Sequence, residues 1–402
     1  MKKILFVYLP TISLWYQESF PPKGAKYFLK EKEEISQIKN LIDFDYQDLR
    51  LKKLEFKDYS QIFIYCDFLS DFPTIISTIE LLKEKDTKRK IFFFGPLITH
   101  YFYYQPSLFE SLREKNVSLI VGFLPNIIKE VLEKEKDIYL ASPLPNYLPV
   151  PTKISLIIGC YCLPIFKPFC KNFLYFRENI KIRKIKEVIN EVINQPEKTI
   201  IIDDEDIASN LDYYTDFFSF ASRFRKHWLV KASYKIFESP QFIRLLAKAG
   251  VKIIYLNETW LTLKDMLTKE VNKLIKEKRK EVKTIQKEKI LVGAKLSFVL
   301  ENKEINFKKL YNIFRKIDFD FLEAKFFIKE NQGFRLENIT YQPFLKETSP
   351  AVLKREFYSL RNIIYRLSKR PRRVGFYNTF FYALPLNLAY RQNFLEGIPY
   401  PP

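Results

Sequence analysis

Gly159-Cys160-Tyr161-Cys162-Leu163-Pro164-Ile165-Phe166-Lys167-Pro168-Phe169-Cys170 holds three of the chain's four cysteines. The stretch follows Lys153–Ile158, an apolar run of strand character. Thiols crowded this closely in a chain of cytosolic composition point to metal rather than disulfides. Three thiolates can hold three irons of a [4Fe–4S] cluster and leave the fourth iron open to a small ligand. Zinc suits the set less well, because neither a histidine nor a fourth cysteine lies nearby to close a tetrahedron. The plain alternative is a set of buried cysteines in an apolar turn. A loop at the carboxyl end of a strand is a ligand-binding position only if βα units surround it, so the flanking sequence decides.

Downstream, the βα alternation continues. Helices are expected over Ile185–Asn194, Tyr213–Arg225, Pro240–Ala249, Leu263–Lys287 and Phe307–Lys316. Strands are expected over Thr199–Ile202, Trp228–Ala232, Lys252–Leu256, Ile290–Phe298 and Phe321–Ile328. That makes about six βα units, a partial (β/α)6 barrel over residues 153–330. Upstream, Lys3–Leu9, Ile62–Cys66, Lys90–Phe94 and Ser118–Val121 read as short buried strands, with helical periodicity over Pro73–Lys85 and Pro125–Lys136. Residues 1–141 are thus expected to form a Rossmann-like α/β domain, joined to the barrel by a proline-rich linker, 142–152. A basic, aromatic helical extension occupies 331–402.

The chain has 402 residues, 47% hydrophobic and 28% charged, which suits folded domains with buried cores and excludes wholesale disorder. No uncharged apolar run reaches the ~18–20 residues of a membrane span. Lys2-Lys3 and the ILFVYLP that follows read as a first buried strand rather than a signal peptide, so a cytoplasmic protein is expected. The formal charge of +20 fits a polyanionic partner, nucleic acid or an anionic membrane surface, or simply a lysine-rich composition. Much of the excess lies in Lys269–Lys289 and Lys369–Arg373, and a solvated Lys/Glu helix plus a basic tail accounts for most of it. Glycine, at nine residues, is scarce, so each one is expected where the backbone needs a positive φ or a close approach.

The cysteine segment resembles the cluster loop of radical S-adenosylmethionine enzymes, in which Gly-Cys-x3-Cys-x2-Cys follows the first barrel strand. Gly159-Cys160 and Pro168-Phe169-Cys170 match its two ends. The loop here is longer, and Lys167 stands where the middle cysteine would be, with Cys162 as the substitute. Ile200–Ala221 (IIIDDEDIASNLDYYTDFFSFA) is similar to the segment after the cluster, and Ser233–Met266 resembles the stretch ending in a strand-terminal glutamate. Residues 1–140 resemble the cobalamin-binding domain of one branch, in LFVYLPT (Leu5–Thr11), SFPPKGAKYF (Ser19–Phe28), FFFGPLITH (Phe92–His100) and LIVGFLPNIIKEVL (Leu119–Leu132). Gly24, Gly95, Gly122, Gly159 and Gly250 fall where the two family domains use glycine, and Arg355–Leu367 and Pro385–Asn393 resemble the family's C-terminal tail.

The resemblance implies a [4Fe–4S] cluster on Cys160, Cys162 and Cys170. It implies S-adenosylmethionine near Phe169, Lys231, Glu258 and Gly293, although a surface salt bridge is the plainer reading of Lys231. It also implies a cobalamin-type pocket at Thr11, Gly24, Gly95, Pro96 and Gly122. The cobalt-ligating Asp-x-His-x2-Gly motif is absent: residues 43–60 contain no histidine, and the chain's two are His100, read as a polar loop residue, and His227. Three function classes follow. The first is a radical enzyme for C–H functionalisation or methyl transfer on a hydrophobic substrate such as a lipid or tetrapyrrole. It would draw electrons from ferredoxin or flavodoxin, in the cytoplasm or at an anionic membrane surface. The second is a degenerate scaffold or partner subunit. The third, a basic nucleic-acid-binding protein, lacks any recognised RNA-binding module, which disfavours nucleic acid as a partner.

Overall fold

A computed structural model describes residues 3–9, 33–49, 54–56, 59–67, 70, 72–85, 89–143, 153–159, 171–176, 179–257, 259–266, 270–300, 307–330 and 333–337. The chain divides into two compact units. One gathers the described residues of 1–150 and 166–181, the other those of 151–165 and 182–391. The expected linker beyond Pro143 and the C-terminal extension lie outside the described residues, apart from Gly333–Glu337.

The first unit is built on six parallel strands: β1 (Ile4–Leu9), β2 (Asp45–Asp48), β3 (Gln61–Cys66), β4 (Lys90–Phe94), β5 (Ser118–Val121) and β6 (Ile138–Leu140). Their spatial order is β2-β1-β3-β4-β5-β6, a doubly wound order whose direction reverses at β1. Such a sheet is buried on both faces, so its strands carry nearly continuous apolar runs. Alternate residues serve opposite cores: Leu5, Val7 and Leu9 with Ile62, Ile64 and Cys66 on one side, Phe6 and Tyr8 with Phe63 and Tyr65 on the other. On that second face Phe6, Phe63 and Phe92 are in-register neighbours. Their rings stack at 4.7 and 4.4 Å, close to the interstrand spacing itself.

The second unit has a sheet of seven strands. Six are parallel: β7 (Lys153–Ile154), β10 (Thr199–Ile202), β11 (His227–Ala232), β12 (Val251–Leu256), β13 (Leu291–Leu300) and β14 (Phe321–Glu330). The last, β15 (Gly333–Glu337), is antiparallel. The shorter β8 (Ile157–Ile158) and β9 (Lys181–Ile182) lie outside this sheet. Sheet order follows chain order throughout, β7-β10-β11-β12-β13-β14-β15, with helix Leu211–Ala221 crossing from β10 to β11, helix Pro240–Ala249 after a 3-10 turn from β11 to β12, and helix Phe307–Ile317 from β13 to β14. Helix starts are set by caps. Ser239 Oγ accepts from Phe242 N before Pro240–Ala249, and Asn210 Oδ1 accepts from Tyr213 N before Leu211–Ala221.

Two expected elements divide. The run Lys153–Ile158 is two strands, because the N–H groups of Leu156 and Ile157 turn to the Asp204 carboxylate instead of a strand neighbour. The basic helix Leu263–Lys287 is two helices, Leu263–Met266 and Val271–Lys287. The first opens on a reciprocal cap, Thr262 N to Asp265 Oδ2 and Asp265 N to Thr262 Oγ1. Among the described residues no helix is long and apolar enough to cross a membrane.

Candidate functional site

The carboxyl ends of the second unit's strands carry an unusual density of charge. β10 ends in Asp203-Asp204-Glu205-Asp206, and each carboxylate has a separate task. Asp203 N donates to Ile154 O, extending β10 along β7, and its carboxylate pairs with Lys153 (3.5 Å) and Lys231 (3.4 Å). Glu205 accepts from Lys231 Nζ at 2.7 Å and lies 3.5 Å from Lys295 Nζ. Asp206 Oδ1 accepts from Ala208 N and Ser233 N, tying the loop to the end of β11. Lys153, Asp203, Lys231, Glu205 and Lys295 therefore form one alternating chain of charge contributed by β7, β10, β11 and β13.

Asp204 is different. It is buried and accepts from Leu156 N, Ile157 N and the Tyr214 hydroxyl (2.7 Å). Burial raises its carboxyl pKa to about 7, against the pull of the hydrogen bonds from Tyr214, Ile157 and Leu156, with the Asp203 charge adding to the rise. Burial, reinforced by the Asp204 charge, lifts the Tyr214 hydroxyl well above its ordinary value and Tyr213 to about 12. Tyr213 donates to Arg183 O at 2.6 Å. Asp204 thereby fixes the backbone that leads into Gly159 and the cysteines.

Lys231 is in register with Tyr255, and Tyr255 with Gly293. Strand alternation sets Lys295, two residues on, on the same face as Gly293. Gly293 is required by close approach: a Cβ there would stand 2.3 Å from Cδ1 of the Tyr255 ring, which lies across β13. At the end of β11, Ser233 is 4% exposed and its Oγ has no hydrogen-bond partner among the described residues. A buried hydroxyl without a partner is uncommon and leaves a donor to be satisfied.

In the first unit, Gly95 and Gly122 end β4 and β5 with φ of 109° and 91°. A Cβ at Gly95 would meet Cys66 O at 2.5 Å, and one at Gly122 would meet Ala141 Cβ at 2.9 Å. Thr99 joins the two turns, donating to Gly95 O and accepting from Gly122 N. Pro96 begins the helix Pro96–Tyr104. His100, expected as a polar loop residue, lies inside that helix, 4% exposed and stacked on Tyr104 at 5.4 Å. After the cysteines, helix Lys171–Phe176 belongs to this unit. The buried Glu34 accepts from Tyr175 OH at 2.8 Å and from Leu124 N at 3.0 Å, and burial with the Glu34 charge drives the Tyr175 pKa well up.

Of the residues singled out from sequence, Lys231 and Gly293 share one face of the second sheet on either side of Tyr255, and Gly95, Pro96 and Gly122 gather at two turns of the first. Cys160, Cys162, Phe169, Cys170, Glu258, Thr11 and Gly24 lie outside the described residues. Lys231 is no surface salt bridge: its side chain is 15% exposed and its ammonium is held between two carboxylates. Asp203, Glu205 and Ser233 carry no motif of their own in the sequence, whereas Lys295 is signalled as a lysine inside the apolar run Leu291-Val-Gly-Ala-Lys-Leu296. Among the described residues no group of three or more His, Cys, Asp or Glu side chains is placed to hold a metal ion.

No protein-family model matches the sequence, and no curated protein matches it. Solved structures do. The radical S-adenosylmethionine methyltransferase TsrM from Kitasatospora setae, solved with its tryptophan substrate and an S-adenosylmethionine analogue, has a TM-score of 0.51 at 10% identity, over 81% of this chain and 73% of that one. The cobalamin-dependent S-adenosylmethionine radical enzyme OxsB, with aqua-cobalamin and S-adenosylmethionine bound, has a TM-score of 0.48 at 9% identity. That match covers 90% of this chain and 56% of OxsB, so this chain spans little more than half the length of that enzyme. At such identities the likeness is one of fold: a mixed α/β chain with parallel sheets, similar to a radical S-adenosylmethionine methyltransferase.

Proposed function

We propose that the chain is a divergent radical S-adenosylmethionine enzyme. In this reading residues 1–141 form a cobalamin-type Rossmann-like domain, 142–152 a linker, 153–330 a partial (β/α)6 barrel and 331–402 a C-terminal extension. One observation carries it. On a fold similar to such a methyltransferase, Lys231, Lys295, Asp203 and Glu205 form one ion-paired cluster at the strand ends that follow the cysteine segment, with the buried Ser233 two residues beyond Lys231.

The donor set suits S-adenosylmethionine, a zwitterion at its amino-acid end. Lys231, Lys295 and Ser233 would hold the carboxylate, and Asp203 and Glu205 the ammonium group. Cys160, Cys162 and Cys170 would hold a [4Fe–4S] cluster, soft thiolates suiting iron, with Phe169 and Glu258 beside the bound S-adenosylmethionine. The chemistry such a group supplies when bound is one-electron cleavage of a sulfonium, which yields a radical able to remove hydrogen from an unactivated carbon. The chain's own residues do the positioning. Asp204 fixes the backbone entering the cysteine loop, and the Glu205–Lys231 pair keeps a fixed charge pattern in place. Of the glycines that the resemblance assigns to cobalamin, Gly95 and Gly122 have the chain's own Cys66 and Ala141 where a Cβ would stand, so close packing of the chain is enough to require them. A hydrophobic substrate, lipid or tetrapyrrole, a ferredoxin or flavodoxin as reductant, and a cytoplasmic or membrane-peripheral location belong to the same proposal through the family resemblance.

Anaerobic reconstitution with iron and sulfide tests the reading. About four irons per chain, a visible band that bleaches with dithionite, loss of both in Cys160→Ala, and 5′-deoxyadenosine on adding S-adenosylmethionine are expected. A folded protein that takes up no iron above background would overturn it and leave a scaffold on an enzyme's fold.

A further inference from the structure

Helix Val271–Lys287 reads in sequence as an alternating Lys/Glu helix with an excess of cations. Folding separates those charges. Ile275, Val282 and Ile285 are buried in the second unit's core. Glu281 turns aside, accepting from Trp260 Nε1 at 2.6 Å and pairing with Lys278 at 3.0 Å, while Lys278 lies over the Trp260 ring. What remains on the exposed surface is Lys273, Lys276, Arg279, Lys280, Lys283 and Lys287, with Glu277 the one exposed carboxylate between Val271 and Lys287. The adjoining helix, Phe307–Ile317, adds exposed Arg315 and Lys316.

We propose that this face binds the phosphodiester backbone of a nucleic acid. Lys273, Lys276, Lys280, Lys283 and Lys287 follow one another at alternating steps of three and four residues, which keeps them on one side of a helix. They recur every ~5 Å along a line of ~21 Å. A linear row of cations suits a polyanion that is itself a line of charges, and such contacts need no base-reading module. A membrane surface is the other polyanion of this charge. Helices that lie on bilayers couple a cationic face to an apolar face turned toward the lipid. Here the apolar face is committed to the protein core, and none of the exposed large hydrophobic side chains among the described residues lies on either helix. The proposal stands on the outer helix layer and does not depend on radical chemistry at the strand ends.

The full chain would be titrated against a fluorescently labelled single-stranded oligonucleotide of mixed sequence, over a series of salt concentrations. Two variants of equal net charge, K276Q/K280Q/K283Q on the row and K115Q/K129Q/K186Q at exposed positions elsewhere, separate the face from the overall charge. Binding that weakens steeply with salt is expected. The row variant should lower the slope of log K against log salt by about 2, at ~0.7 per lost contact, and bind at least about tenfold more weakly at 100 mM salt. The remote variant should stay within about twofold of the parent, and K276R/K280R/K283R should bind as the parent does. Equal losses in the row and remote variants would reduce the effect to net charge and overturn the proposal. So would an absence of salt-sensitive binding, or preference for phosphatidylglycerol vesicles over the oligonucleotide. Melting curves of the glutamine variants matching the parent exclude unfolding as a cause.

Discussion

Replacing Asp204 by Asn should stabilise the protein at neutral pH, against the usual outcome of altering a buried, fully hydrogen-bonded carboxylate. The carboxyl is buried and its pKa is raised to about 7, first by burial. In the unfolded chain it returns to ~3.9. The folded state therefore binds this proton more tightly than the unfolded state does. The associated stability is fully present below pH ~4 and is lost as pH rises toward 7. The difference of ~3 units amounts to about 4 kcal/mol at pH 8, and to about 1.5 kcal/mol at pH 5. Asparagine is close in shape to the protonated acid. Its carbonyl still accepts from Leu156 N and Ile157 N, and its amide can donate to the Tyr214 hydroxyl oxygen. Parent and Asp204→Asn should thus be equally stable near pH 4 and diverge above it, the variant ahead. Urea titrations followed by the fluorescence of Trp228 and Trp260, both buried in the second unit, in a Trp15→Phe background, would measure this. Parallel curves from pH 4 to 8, or a parent that gains on the variant with rising pH, would refute the argument: the hydrogen bonds would then outweigh desolvation.

His227 should behave with the opposite sign. Burial, with Lys252 and Lys198 nearby, depresses its pKa to about 4, so its contribution is complete above pH ~6.5 and is lost between there and ~4. His227→Gln should flatten that acid limb in the same titrations, and an unchanged limb would show the ring to be solvated. Gly293→Ala should destabilise by about 1–3 kcal/mol, because the Tyr255 ring must leave its position over β13. Adding Tyr255→Ala should cost less than the sum of the single changes, and strict additivity in thermal melts would mean that ring and glycine do not compete. Tyr175→Phe should cost about 1–3 kcal/mol by leaving the buried Glu34 without its hydroxyl donor. A much smaller loss by circular dichroism would mean that water takes the place of the hydroxyl.

Elements with a strong apolar period were legible. Pro240–Ala249 and Ile185–Asn194 fall where their spacing places them, because an amphipathic stripe and a cap act locally. Elements that owe their state to neighbours were not. β2 is Asp-Tyr-Gln-Asp, a polar edge strand recognisable only through its pairing with β1. The helix Pro96–Tyr104 is aromatic and apolar almost throughout, so it shows no face for a period to reveal. The sequence reads Ser155–Leu156 as mid-strand, because nothing nearby announces that a carboxylate forty-eight positions along the chain takes the Leu156 N–H.

The site divides along the same line. Cysteine crowding is a one-dimensional signal and could be read directly. The charged row is not: Lys153, Asp203, Lys231 and Lys295 come from four strands spread over more than a hundred residues, and only the sequential order of the sheet makes them neighbours. Each alone looks like a solvated charge. What distinguishes Lys231 and Lys295 is their setting, a lysine in His-Trp-Leu-Val-Lys-Ala and another in Leu-Val-Gly-Ala-Lys-Leu. A central parallel strand has no solvent face on which to discard an ammonium, so a lysine within one must be paired or functional. Here both are paired to a single carboxylate, Glu205, and that convergence on one acid ties the two strands to the same loop. An arrangement built only for stability would gain as much from leucines at these positions, so retaining the lysines is what the ligand proposed at the strand ends would require.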